Sequence, residues 1–104
     1  MISLEDCIAL CGLTKEEVRA LAEHEEIEEI HAAALAQCLL GHPEGCRKIG
    51  AMIADDVNWA ILRGDRRHAD ALLTTLEHFV TEHPEALASK RAQACLNWRA
   101  TSGG

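Results

Sequence analysis

The sequence predicts an all-α fold, and three observations carry that expectation. No run alternates apolar and polar residues for long enough to make a strand. Residues that start and stop helices recur along the chain. Between them the apolar residues repeat at i, i+3 and i+4. About six helices are expected, paired as three αα-hairpins. The last four should form a four-helix-bundle-like core, with a short N-terminal hairpin packed on it. Residues 1–100 read as a single helical domain and 101–104 as a disordered tail.

Each element has its own signals. Ser3 with Asp6 resembles an N-cap with an acidic partner, and Gly12 fits a stop after Leu4, Cys7, Ile8 and Cys11. Thr14 with Glu17 is a capping box, Leu13 can staple onto Val18, and Leu21 and Ala22 continue that apolar face. A break is expected near Glu23–Glu26. At 100° per residue, Ile27, Ile30, His31, Ala34, Leu35 and Cys38 centre opposite Val18 and Leu21, and the crowded glutamates repel one another.

The third helix should stop at Gly41, and His42-Pro43-Glu44 restarts the chain with proline in the first helical position. The fourth helix then runs to Arg63 with an inner stripe of Ile49, Met52, Ile53, Val57, Ala60 and Ile61, closed by Gly64. Asp65 caps the fifth, whose stripe is Ala69, Leu72, Leu73, Leu76, Phe79 and Val80. His83-Pro84-Glu85 repeats the earlier restart, and the last helix carries Leu87, Ala94, Cys95 and Trp98. The shared tripeptide, with Asn-Trp at Asn58-Trp59 and Asn97-Trp98, hints at two related hairpins over residues 26–63 and 65–100. Both tripeptide histidines read as cap positions ahead of their prolines.

Composition narrows the function classes. The 104 residues carry a formal charge of −7, which disfavours phosphate backbones, and no nucleic-acid partner is expected. No stretch approaches the ~20 apolar residues of a membrane span. The first residues lack a basic region, so the expected location is the cytoplasm, with the five cysteines reduced. Cys7 and Cys11 lie one helical turn apart, a spacing with a possible redox or metal use but more often that of small core residues.

The candidate functional residues are ionisable groups on apolar faces. His31 falls in the stripe of the third helix, Asp56 in that of the fourth, and His83 one turn beyond Phe79. Arg91 falls between Leu87 and Cys95. A buried charge needs a partner, so Asp56 and Arg91 are expected to form a structural ion pair. A second reading makes His31, Asp56 and His83 the ligands of a metal ion, iron or zinc, inside the bundle. Glu28-x-x-His31 matches the Glu-x-x-His spacing of such sites and Asp65-x-x-His68 loosely does, though chance matches arise in so acidic a chain. No nucleophile elbow, P-loop or HExxH motif occurs.

The expectation for function is a small interaction or accessory protein without catalytic activity. It would self-associate as a homodimer, with Trp59 or Trp98 at the contact. The alternative is the metal- or cofactor-binding bundle. A further alternative, a helix-turn-helix DNA reader over Cys11-Gly12-Leu13 and the helix after it, is opposed by the acids Glu16, Glu17, Glu23 and Glu25.

Overall fold

The computed structural model describes residues 12–42 and 44–102. The expected first helix, with Cys7 and Cys11, lies outside the described residues, as do Pro43 and the last two glycines. The described chain forms α1 (Lys15–Glu25), α2 (Glu29–Leu40), α3 (Gly45–Leu62), α4 (Arg66–Glu82), a 3₁₀ turn (Pro84–Ala88) and α5 (Lys90–Ser102). No strand occurs among the described residues.

Most caps do what the sequence asks of them, but α3 starts later than expected, at Gly45 behind Glu44, so His42 is not its cap. Thr14 accepts from the Glu17 amide at 3.2 Å, and Glu17 accepts from the Thr14 amide at 2.8 Å, which closes the capping box. The expected break is present: α1 ends in a left-handed Glu26 (φ 55°), whose amide donates to Ala22 and Glu23, and the Ile27 amide reaches back to Ala22. Asp65 caps α4 by accepting from the His68 amide at 3.1 Å. Gly64, with φ 77°, stops α3.

The core is built on α3 and α4. Ile49, Ile53, Val57 and Ala60 face Leu72, Leu73, Leu76 and Phe79, all buried as the periodicity predicts. Burying each of the larger side chains is worth about 1.5–3 kcal/mol. Val18 and Leu21 of α1 close one side, and Ala92 and Cys95 of α5 another.

Three expectations are corrected. First, α2 buries Ala32, Ala33 and Ala36, while Ile27, Ile30, His31, Ala34 and Cys38 face solvent. The helix is apolar nearly all round, so its period could not choose a face, and close approach to its neighbours favours alanine. Second, the last helix is not continuous from Pro84. Ser89 takes an extended conformation, and its hydroxyl accepts from the Ala92 amide at 3.2 Å, so α5 starts afresh and Leu87 is left exposed. Third, α5 continues through Thr101 and Ser102, which were expected in the tail.

Candidate functional site

The residues singled out from the sequence do not converge on one site. His31 is exposed on α2. Asp56 lies on α3, half-buried, in a polar layer between α1, α3 and α4. His83 ends α4, where its ring lies 4.7 Å from that of Phe79. Among the described residues, the one group of three or more potential metal donors close together is Cys46, His83 and Glu85, so His31, Asp56 and His83 are not a ligand set.

The polar layer also corrects the expected ion pair. Arg91 donates from Nη1 to both oxygens of Asp55, at 2.9 and 2.7 Å, and not to Asp56. The two aspartates are adjacent on α3 and point about 100° apart, so one residue of phase decides which carboxylate α5 can reach. The pair is exposed on the arginine side, unlike the buried bridge that was expected. His24 of α1 lies 3.9 Å from Asp55 and 2.8 Å from Glu25, and His68 of α4 meets Glu23 at 2.7 Å.

Asp56 Oδ2 is buried and has no hydrogen-bond partner. Loss of water raises its pKa from 3.8 to about 6. Glu23 and Asp55 push the same way, and His24 and His68 push back. Asp56 is thus a carboxyl group that resists ionisation, flanked by two histidines.

The Cys46–His83–Glu85 group is built by two short stretches. Cys46 is the second residue of α3. His83 caps the 3₁₀ turn, with its amide donating to Phe79 at 2.7 Å and its carbonyl accepting from Ala86 at 2.9 Å. Glu85 follows Pro84 inside that turn. The turn lies close against α3 at Gly50, where an added Cβ would stand 3.2 Å from that of Ala86. One donor atom from each residue lies within 4.8 Å of the others. Burial raises the Cys46 pKa, and hydrogen bonding to Glu85 with that carboxylate's charge raises it further.

Sequence reasoning named His83 but missed Cys46 and Glu85. The available signal was His83-Pro84-Glu85 itself, which places an imidazole and a carboxylate on one turn; nothing local pointed to Cys46, which precedes His83 by most of two helices.

An apolar surface is the other candidate. Trp59 and Leu62, on the outward side of α3, are 61% and 76% exposed. Trp98 is half-buried against its own chain, with the Arg66 guanidinium 4.9 Å from its ring centre. Among the described residues, no helix is long and apolar enough to cross a membrane. Comparison with protein-family models, with curated proteins and with solved structures finds no match for this chain.

Proposed function

We propose that this chain is a small helical interaction protein that pairs with a second copy of itself through the outward face of α3. The observation that carries this reading is the exposure of Trp59 and Leu62 side by side, one turn apart, near the end of the central helix. Tryptophan is enriched at the centres of protein interfaces. Arg63 lies one turn after Trp59, and Asp55, already paired with Arg91, lies one turn before it. In a two-fold antiparallel pairing centred on Trp59, the two tryptophans meet at the axis with the leucines beside them, and Arg63 of the partner subunit approaches the outer end of the Asp55–Arg91 pair. So small a face supports a weak, concentration-dependent dimer.

Sedimentation equilibrium over a wide concentration range tests the proposal. The wild type should shift from monomer toward dimer, and the shift should vanish in Trp59→Ser/Leu62→Ser and weaken in Arg63→Glu. A strict monomer at every concentration, or a dimer indifferent to these changes, would overturn it. The DNA-reading alternative gains nothing from the outward side of α1, where Glu16, Glu23 and Glu25 beside Lys15 and Arg19 would repel phosphate.

A further inference from the structure

We propose that Cys46, His83 and Glu85 form a zinc site with one open coordination position. The three donors come from the start of α3 and from the turn after α4, and they meet within 4.8 Å. Donors around a tetrahedral zinc ion stand about 3.5 Å apart, given Zn–S near 2.3 Å and Zn–N and Zn–O near 2.0–2.2 Å. Closing on the ion therefore asks for movements of about 1 Å, within the reach of side-chain torsions.

The chemistry of the set selects the ion. A thiolate and an imidazole suit zinc and its borderline neighbours, whereas magnesium and calcium demand oxygen. Zinc is also the ion that accepts a mixed sulfur, nitrogen and oxygen set without a geometric preference of its own. Without an ion the arrangement explains its own contacts. The Cys46 thiol keeps its proton and faces the Glu85 carboxylate. On binding, the Cys46 S–H bond breaks, the sulfur's electron pair goes to zinc, and the proton leaves to solvent. Glu85 turns a carboxylate oxygen from the thiol to the metal. His83 offers a ring nitrogen.

The surroundings hold the donors. Phe79 backs the His83 ring, and Phe79 is fully buried. The backbone bonds from His83 to Phe79 and from Ala86 to His83 fix the turn that carries both His83 and Glu85. Cys46 is anchored by the close crossing just ahead of it, where Gly45 touches the Leu39 carbonyl group. Glu85 stands at the solvent edge, so the open side of the ion faces outward. Three protein donors with a free fourth position is the arrangement that accepts an exogenous ligand, a water or a side chain from a bound partner.

The test uses the full-length reduced protein and cobalt(II) as the spectroscopic probe, with zinc as competitor. The expected result is one equivalent of cobalt bound, a thiolate-to-metal charge-transfer band, and displacement by zinc. Cys46→Ser should abolish the band, and His83→Gln should weaken binding by more than about 100-fold, since loss of an outer-shell partner alone costs 10–100-fold. Glu85→Gln should weaken it less. Cys7→Ser/Cys11→Ser and Cys95→Ser should keep both the band and the affinity. Circular dichroism melts of the metal-free variants confirm that each folds. No binding by the wild type would overturn the proposal. So would a band that survives Cys46→Ser or disappears in Cys7→Ser/Cys11→Ser.

Discussion

The hairpin of α2 and α3 and the hairpin of α4 and α5 are joined by the same three residues, His-Pro-Glu, and the two junctions do different things. At the first, His42 is exposed, and Glu44 pairs with Arg47 at 2.9 Å on the surface. The chain passes there so close to itself that only glycine fits at position 45. At the second, a 3₁₀ turn and the extended Ser89 open the connection, His83 stacks on Phe79, and Glu85 turns toward Cys46. The tripeptide encodes a stop and a restart. The packing around it decides whether its histidine and glutamate serve solvent or a site.

The hairpins also differ in what they bury, and the largest predicted effects follow from that. α4 buries Leu73, Leu76 and Phe79, whereas α2 buries three alanines. Phe79→Ala should cost about 3–5 kcal/mol in urea or thermal unfolding, because it leaves a cavity and removes the ring behind His83. Ala33→Gly in α2 should cost only about 1 kcal/mol, mainly through helix propensity. Equal losses would erase the contrast.

The crossing at the first junction comes next. A Cβ on residue 45 would stand 1.5 Å from the Leu39 carbonyl oxygen, so Gly45→Ala must push α2 and α3 apart. A loss of about 1–3 kcal/mol is expected. An unchanged melting temperature would mean that the crossing is looser than described.

Asp56, on the first hairpin, predicts a pH dependence with a definite sign. Its carboxyl group keeps its proton up to about 6 in the fold, against 3.8 ordinarily. The folded state therefore holds more protons in that window, and this contribution to stability falls as pH rises from about 4 through about 6. Asp56→Asn should remove that slope and raise stability at pH 7.5 by roughly 1 kcal/mol, after allowance for solvent screening of a half-exposed group. A variant less stable than wild type at pH 7.5 would mean that the ionised carboxylate has a partner. Smallest of all, Arg91→Ala should cost less than about 1 kcal/mol, because its pair with Asp55 is exposed and screened. A loss near 4 kcal/mol would restore the buried bridge expected from the sequence.

The legible part of the fold was the part written in local code. The capping box at Thr14, the break at Glu26, the stop at Gly64 and the stripes of α3 and α4 all follow from neighbours within one or two turns. The face of α2 was not legible, because Ile30 and its leucines outweigh alanine on any hydrophobic scale while the close packing selects alanine. The ion pair was missed by one residue: helical phase errors of 100° are invisible until the partner helix is placed, and Asp55 rather than Asp56 meets Arg91. Of the Cys46–His83–Glu85 group, His83 was readable as unusual, but Cys46 reaches it only through the packing of the 3₁₀ turn on α3. Long-range convergence of this kind leaves no periodic trace.

The difference between the two junctions is tested most directly by melting temperature against added zinc, for the wild type, His42→Gln and His83→Gln under reducing conditions. An ion that binds only the folded chain raises its melting temperature. The wild type and His42→Gln should rise together as zinc is added, and His83→Gln should stay at its metal-free value. Equal zinc-dependent rises in both variants, or none in the wild type, would contradict the claim that only the second junction builds a metal site.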